Sequence, residues 1–388
     1  MRTFPIVNLL RAAATVSSLT LLSRITGLAR DMLISRIFGA TAATDAFNVA
    51  FRLPNLLRRL FAEGAFQQAF VPMLADARSQ GGEAGMRHLV DHVASALLWT
   101  LLLVSVLGVV AAPLLVWLIA SGLAREPEAF ALATGMTRWM FPYILFMSFV
   151  ALSAGILNTY KRFAVPAFTP VLLNLSFIAC ALWLAPHLAE PIWALAVAVV
   201  LGGVAQLALQ LPALARLGML PRLGNPLHAF RDEGVRRVLK LMLPAVFAVS
   251  VAQLSIIINT NIASHLAVGS VTWLAFADRL MEFPTALLGV ALGTVLLPNL
   301  SAAYAEKRVA HYNEMLDWGL RLVVLLALPA AVGLGLTAHG LVAVLFQGAR
   351  FSAHDVAQTA SAVVGYAVGL IGLIAVKILA PGFYAQKD

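Results

Sequence analysis

Six arginines lie within the first two apolar stretches of the chain that are long enough to cross a membrane. They are Arg24, Arg30, Arg36, Arg52, Arg58 and Arg59. Each guanidinium buried in hydrocarbon costs roughly 2.5–3.5 kcal/mol on insertion scales, and arginine cannot avoid this cost by losing its proton. Such charges persist where they line a watery cavity or meet an anion. The arginines therefore predict a site that holds a large anion within the bilayer.

Other polar side chains accompany these arginines at helical spacing. In the second predicted helix Pro54 removes a backbone hydrogen bond, as in the broken helices of transport sites. In the first predicted helix Arg24 and Asp31 are seven residues apart and share a face on an ideal wheel, whereas Arg30 points elsewhere. A polar stripe of helical period also runs along the second helix and comprises Asp45, Asn48, Arg52, Asn55, Arg59 and Glu63.

Each of these polar groups also has a plain structural interpretation. An internal arginine–aspartate pair could simply hold the first helix against its neighbours. Arg59 and Glu63, one turn apart, could form a salt bridge, and Arg58 or Arg59 could extend to the lipid headgroups. Arg279 and Glu282, three residues apart, could likewise be an ion pair within one helix. The residues alone leave these alternatives open.

The composition is that of a membrane protein. The chain is 61% hydrophobic and 12% charged, with a mean hydropathy of +0.88, which is far above the ordinary globular mix. We therefore predict an all-α polytopic membrane protein with about ten transmembrane helices, each of about 20 residues or more. The predicted spans are 13–38, 46–76, 90–120, 132–158, 164–185, 191–215, 241–266, 272–301, 313–338 and 356–380.

The charges between the spans predict an orientation. With the N-terminus placed in the cytoplasm, the cytoplasmic segments hold fifteen lysines and arginines, and the opposite loops hold only Arg125 and Arg350. This positive-inside bias alternates correctly from loop to loop. The net charge of +9 thus comes mostly from the basic residues that set the orientation in the membrane. No polar stretch is long enough to fold as a basic soluble domain, which argues against a nucleic-acid partner.

The longest predicted cytoplasmic connection divides the chain into two halves. We predict an N-terminal lobe at 1–217 with six spans, a cytoplasmic linker at 218–240 and a partial C-terminal lobe at 241–388 with four spans. Short matches between the halves recur in the same order, about 225 residues apart, which indicates a parallel duplication. Since six helices in the first half predict six in the second, we expect a two-lobe transporter whose second lobe is incomplete.

The residue types that carry catalysis or metal binding are sparse. Cys180 is the single cysteine and lies in an apolar span, which excludes an internal disulfide and a cysteine metal site. Of the eight histidines only His88 and His92 share a helical turn, and the sequence offers no evident third ligand beside them. No HExxH, Ser-His-Asp or phosphate-loop pattern is present. We therefore predict neither a metal, nor a cofactor, nor an enzyme.

Several runs closely resemble the MurJ (MviN) family, and the resemblance extends over essentially the whole chain. The first-half runs are Ser23-Arg-Ile-Thr-Gly-Leu-Ala-Arg-Asp31, Ala43-Thr-Asp-Ala-Phe47, Leu53-Pro-Asn-Leu-Leu-Arg-Arg59 and Phe61-Ala-Glu-Gly-Ala-Phe66. The second-half runs are Ala277-Asp-Arg-Leu-Met-Glu-Phe-Pro284, Gly289-Val-Ala-Leu-Gly-Thr294 and Leu379-Ala-Pro-Gly-Phe-Tyr384.

The resemblance implies a lipid II flippase of the multidrug/oligosaccharidyl-lipid/polysaccharide exporter superfamily in a bacterial inner membrane. Such a protein moves the undecaprenyl-diphosphate-linked peptidoglycan precursor from the cytoplasmic to the periplasmic leaflet by alternating access, through an arginine-lined cavity. By resemblance, the substrate-binding arginines are Arg24, Arg30, Arg58 and Arg279. The matching positions with supporting roles are Asp31, Asp45, Asn55, Arg59, Glu63, Asn158 and Glu282. Partners among cell-wall synthesis proteins are also implied.

Three alternative functions compete with this one. A flippase for another polyprenyl-linked glycan fits the charges equally well, and only the motifs argue against it. A membrane-embedded enzyme acting on polyprenyl diphosphates would also need arginines, but it should show a cluster of carboxylates and histidines. A drug/cation antiporter of the same superfamily fits poorly, because a cationic substrate would be repelled by arginines.

Overall fold

Helices make up the regular structure throughout the described part of the chain. The structure is a computed structural model that describes residues 6–58, 65–285, 300, 303–304, 306 and 308–385. Its longer helices, in chain order, are α1 (Ile6–Phe38), α2 (Ala42–Leu57), α3 (Ala65–Val110), α4 (Ala112–Ile119), α5 (Pro127–Met140), α6 (Tyr143–Thr159), α7 (Ala164–Ala179), α8 (Trp193–Arg216), α9 (Pro226–Arg231), α10 (Glu233–Ser264), α11 (Ser270–Pro284), α12 (Val309–Phe346) and α13 (Ala353–Ala385).

Six of the described helical segments are long and apolar enough to cross a membrane. They are Phe66–Val110, Pro127–Thr159, Ala164–His187, Trp193–Arg216, Val309–Phe346 and Ala353–Lys377. Large apolar side chains such as Leu336 on α12, which is 84% exposed, form the surface that faces lipid in such a protein. The other predicted spans also begin on helices, namely 13–38 on α1, 46–76 on α2, 241–266 on α10 and 272–301 on α11.

Prolines divide two of the predicted spans into pairs of helices. The span 90–120 consists of the end of α3 and the short helix α4, which has Pro113 in its first turn. The span 132–158 consists of α5 and α6, with Pro142 at the start of α6. A proline has no backbone N–H to donate and is therefore well placed in the first turn of a new helix.

The chain forms two compact units. The first comprises Met1–Ile37 and Thr41–Val268, and the second comprises Phe38–Ala40 and Gly269–Asp388. Within the first unit α2 packs on α5, α3 packs on α6 and on α10, and α8 packs on α6 and on α7. Small residues permit the closest approaches, since a Cβ at Gly203 would lie 2.8 Å from the ring of Tyr143.

Helix α10 belongs to the first unit, and contacts near both of its ends hold it there. At its N-terminus Asp232 Oδ2 lies 3.7 Å from His88 Nδ1 on α3. At its C-terminus the backbone N–H of Gly122 donates to Ser264 Oγ (3.1 Å), and Ser121 Oγ lies 2.9 Å from His265 Nε2. The sequence assigned this helix to the second lobe. The two compact units group the helices by their contacts and do not test the predicted lobe boundary at 218–240, which stays a prediction.

The second unit is built around the packing of α13 against α11 and α12. Its core includes Tyr312, Val323, Ala327, Leu370 and Ile374. Asp355 fixes the start of α13, because its Oδ2 accepts hydrogen bonds from both Ser352 N and Ser352 Oγ at 2.7 Å. Its Oδ1 accepts from the indole N–H of Trp273 on α11 (2.9 Å), so one carboxylate both caps a helix and ties it to a neighbour.

A polar cluster joins the turn after α6 to the first half of α3. The Tyr160 hydroxyl donates a hydrogen bond to Glu83, and the Arg78 guanidinium lies 4.7 Å from the centre of the Tyr160 ring. Arg78 also pairs with Glu83 at 3.3 Å. Burial of the phenol and its hydrogen bond to the Glu83 carboxylate raise the pKa of Tyr160 to about 12, so the hydroxyl remains a donor at physiological pH.

We expect the Gly122→Ala variant to unfold at a lower temperature than the unsubstituted protein. The new Cβ would lie 2.1 Å from Ser264 O and 2.6 Å from His265 N, both of them backbone atoms. Forcing such overpacking typically costs about 1–3 kcal/mol. Thermal unfolding of the purified protein in detergent micelles measures the shift.

Gly340→Ala is the matched control for this substitution. Gly340 lies inside α12, and a Cβ there would meet nothing within 4 Å. Alanine is the better helix former by about 1 kcal/mol, so this variant should unfold at an unchanged or higher temperature. An equal fall in both variants would contradict the proposed contact at Gly122.

Candidate functional site

The most buried of the predicted substrate-binding arginines is Arg30, on α1. Arg30 and Asp31 are each only 7% exposed. The Arg30 Nε and Nη2 groups donate to Asp31 Oδ1 at 2.9 and 2.7 Å. A charged pair removed from water in this way needs close geometry and further hydrogen bonds to be tolerated. The ideal wheel pointed Arg30 away from the face that carries Asp31, but the long arginine side chain reaches its sequence neighbour.

Helix α7 supplies the remaining support for Arg30. Arg30 Nη1 donates to Asn174 Oδ1 (3.0 Å), and the guanidinium lies 5.1 Å from the centre of the Phe177 ring, within range of a cation–π interaction. Three kinds of contact therefore hold one guanidinium: a carboxylate, an amide oxygen and an aromatic ring. Asn174 and Phe177 were missed by the sequence analysis, because they lie more than 140 residues from Arg30 in the chain.

Asn174 also fixes α7 against α1. Its Nδ2 donates to Ser23 O (2.9 Å) and lies 3.2 Å from Thr26 Oγ1. The same amide lies beside Gly27, where an added Cβ would be at an ordinary van der Waals distance of 3.4 Å from Asn174 Nδ2. The bonds of Asn174 to Ser23 and to Arg30 therefore tie α7 to α1.

The predicted substrate-binding arginine of α2 is Arg58. It lies half-buried at the C-terminal end of α2. Its Nε and Nη2 groups donate to Asn55 Oδ1 at 3.1 and 2.9 Å. The amide of Asn55, one turn earlier, thus orients the guanidinium without neutralising its charge. The predicted supporting residues Arg59 and Glu63 lie outside the described residues.

The predicted site residues of the second unit lie on α11. Arg279 Nη1 is 3.2 Å from Glu282 Oε2, and the two side chains are 42% and 46% exposed. The ion pair that the spacing allowed is therefore formed, but both groups keep much of their surface accessible. Exposed ion pairs of this kind contribute little to stability, typically 0–1 kcal/mol, so the pair does not by itself explain why the arginine is there.

The other predicted residues of the first unit are dispersed. Arg24 is exposed on α1. Asp45 is buried in the first turn of α2, where the helix dipole favours an anion, and it lines a small cavity together with Arg125 and His265. Asn158 is half-buried at the end of α6, where its carbonyl accepts a hydrogen bond from Lys161 N (2.9 Å). Of the three pairs of predicted site residues described above, Arg30 and Asp31 form the shortest contact, at 2.7 Å.

Solved structures with similar folds define the class of protein. One, described as "Lipid II flippase MurJ, inward closed conformation", matches with a TM-score of 0.80 and 24% identity over 96% of this chain and 76% of the other. An inward-facing multidrug resistance MATE family transporter of the MOP superfamily matches with a TM-score of 0.68 and 16% identity, over 97% of this chain and 86% of the other. The chain therefore shares the all-helical fold of these two membrane transporters, and the predicted fold class is confirmed.

Sequence comparison then shows the family. A family model described as "Lipid II flippase MurJ" matches residues 34–388. The lipid II flippase MurJ of Burkholderia cenocepacia is 57% identical over 98% of this chain and 74% of its own length. A probable lipid II flippase MurJ of Vibrio cholerae is 41% identical over 98% of this chain and 73% of its own length. The chain belongs to the MurJ family, as its motifs predicted, and this is a family of transporters rather than enzymes.

We expect Asn174→Ala to destabilise the first unit. The substitution removes the acceptor of Arg30 Nη1 and the donor to Ser23 O. Leaving a buried donor or acceptor without its partner costs about 1–3 kcal/mol, and more beside a charged group. The midpoint of thermal unfolding should therefore fall, as measured on the purified protein.

Ser176→Ala on the same helix serves as the control for Asn174→Ala. The Ser176 hydroxyl is half-buried and donates only to Leu172 O, within its own helix (2.9 Å). Its removal should change the midpoint little. If Asn174→Ala were no less stable than Ser176→Ala, the bridge from α7 to Arg30 would not contribute to stability.

Proposed function

We propose that this chain transports lipid II, the polyprenyl-diphosphate-linked precursor of peptidoglycan, from the cytoplasmic to the periplasmic leaflet of a bacterial inner membrane. Membership of the MurJ family and the 57% identity to a relative named as a lipid II flippase are the main support. The single structural observation that carries the proposal is the buried guanidinium of Arg30, oriented by Asp31, Asn174 and Phe177.

The chemistry of the substrate suits arginine. A diphosphate offers several anionic oxygens, and the planar guanidinium can bind two of them with parallel, charge-assisted hydrogen bonds. Such bonds are stronger where the surroundings exclude water. We therefore assign diphosphate binding to Arg24, Arg30, Arg58 and Arg279, with Asp31, Asp45, Asn55, Asn158 and Glu282 in supporting roles. Arg59 and Glu63 complete the proposed set from the motifs alone.

Three of the four assigned arginines share one arrangement that supports a binding role. Arg30, Arg58 and Arg279 each donate to an acceptor on their own helix, namely Asp31, Asn55 and Glu282. Because each acceptor lies within three residues of its arginine, the pair moves as one body with its helix. Between transport cycles the acceptors keep the guanidinium groups oriented and partly offset their positive charge.

The proposed cycle is alternating access, in which the arginines face first one side of the membrane and then the other. Binding of the diphosphate reduces the mutual repulsion of the arginines and so favours the change of state. The excess of basic residues in alternate loops supports a cytoplasmic N-terminus. Proteins of cell-wall synthesis remain the proposed partners.

The proposal predicts that Arg30→Ala and Arg279→Ala each abolish lipid II transport without preventing membrane insertion. We also expect Arg30→Lys to fail, because an ammonium group cannot replace the planar fork of donors. The measurement is growth of a bacterium depleted of its own lipid II flippase and supplied with each variant. Immunoblots of the membrane fraction confirm that each variant is inserted.

Arg321→Ala is the matched control for Arg279→Ala. Arg321 pairs with Asp317 at 2.8 Å on its own helix, as Arg279 pairs with Glu282, and its side chain is 79% exposed. This variant should rescue growth as well as the unsubstituted chain does. Normal rescue by Arg30→Ala or Arg279→Ala would refute the assigned roles. The unsubstituted chain could insert well and still fail to restore growth where the Burkholderia cenocepacia relative restores it. That outcome would refute transport by these 388 residues.

A further inference from the structure

A cluster of metal-binding side chains lies on the first unit, among residues that the proposed transport does not use. It consists of His88 and His92 on α3 and Asp232 at the N-terminus of α10, which we call the His–His–Asp cluster. One ligand atom of each side chain lies within 4.8 Å of the others. The sequence offered no evident third ligand for the two histidines, whereas the fold brings Asp232 to them from 140 residues away.

We propose that the His–His–Asp cluster binds Zn²⁺ or a similar divalent transition-metal ion and so links α3 to the start of α10. Two imidazole nitrogens and one carboxylate oxygen form a set that suits zinc rather than magnesium or calcium, which prefer oxygen ligands. Histidines one helical turn apart are the spacing by which one helix supplies two zinc ligands. Three protein ligands leave a fourth position for water, as in open zinc sites.

Two of the three proposed ligands, His92 and Asp232, are each oriented by a hydrogen bond to a backbone group. The His92 ring uses Nδ1 to bond the His88 carbonyl oxygen (2.8 Å), which places its proton on Nδ1 and leaves the Nε2 lone pair for a metal. The Asp232 carboxylate uses Oδ1 to accept from Val235 N (3.0 Å) and turns Oδ2 toward His88. Metal-binding histidines commonly donate their other N–H to a carbonyl in this way.

Side-chain rotation must bring the ligand atoms, which lie within 4.8 Å of one another, to a zinc geometry. His88 Nδ1 lies 3.7 Å from Asp232 Oδ2, and the two imidazole rings are stacked with their centres 4.0 Å apart. Tetrahedral ligands at zinc bond lengths stand about 3.3–3.5 Å from one another. The His88 side chain is 61% exposed and can therefore turn without disturbing the packing. The neighbouring Asp91 is engaged elsewhere, accepting from Arg222 N (2.8 Å).

Titration of the purified, chelator-treated chain with Co²⁺ and Zn²⁺ tests the proposal. We expect one Co²⁺ per chain, seen by its visible absorption and displaced by Zn²⁺. His92→Ala and Asp232→Asn should each weaken binding at least about tenfold. Asparagine retains the oxygen that caps α10, so Asp232→Asn removes the charge and keeps the helix start. Circular dichroism confirms that both variants fold.

His187→Ala provides the matched control for His92→Ala. The His187 ring uses Nδ1 to bond a carbonyl four residues earlier, Trp183 O (2.7 Å), as His92 does, but it lies outside the cluster. This variant should bind Co²⁺ as the unsubstituted chain does. The proposal is overturned if no saturable binding occurs, or if binding survives unchanged in both His92→Ala and Asp232→Asn. A loss of binding in His187→Ala equal to that in His92→Ala would overturn it as well.

Discussion

The cost of holding a guanidinium away from water is the constraint on which the first unit's candidate site depends. Arg30 stays charged at any physiological pH, so its surroundings must replace the hydration that it loses. Asp31 supplies the opposite charge, Asn174 a neutral acceptor and Phe177 the face of a ring. Since two of these three residues belong to α7, the charge on α1 ties α1 to α7.

This requirement explains features that would otherwise seem unrelated. The Asn174 amide lies beside Gly27 on α1 and donates to Ser23 O on the same helix. The side chain that accepts from Arg30 thus also satisfies a carbonyl of the helix that carries Arg30. A hydrophobic residue at position 174 would leave both groups without their partner, at a cost larger than its own burial would recover. The polar contact is therefore part of the packing between α1 and α7.

The sequence alone predicted the features that depend on local spacing. The helical class and the spans follow from apolar runs, and the pairing of Arg279 with Glu282 follows from a separation of three residues. The contacts of Asn174 with Arg30 and of Asp232 with His88 could not be predicted, because chain separations of more than 140 residues are closed only by the fold. The hydropathy of α10 likewise does not indicate to which of the two units this helix belongs.

If Arg30 binds a diphosphate as proposed, the two edges of its guanidinium are not equivalent. The edge formed by Nε and Nη2 faces Asp31, whereas Nη1 faces the neutral Asn174. Displacing the carboxylate would leave a buried anion next to an incoming anion, which low-dielectric surroundings oppose strongly. Displacing the amide exchanges a neutral acceptor for a charged one and leaves the ion pair intact. We therefore expect the phosphate oxygen to approach from the Nη1 side, with Asp31 retained as the group that keeps the arginine in place.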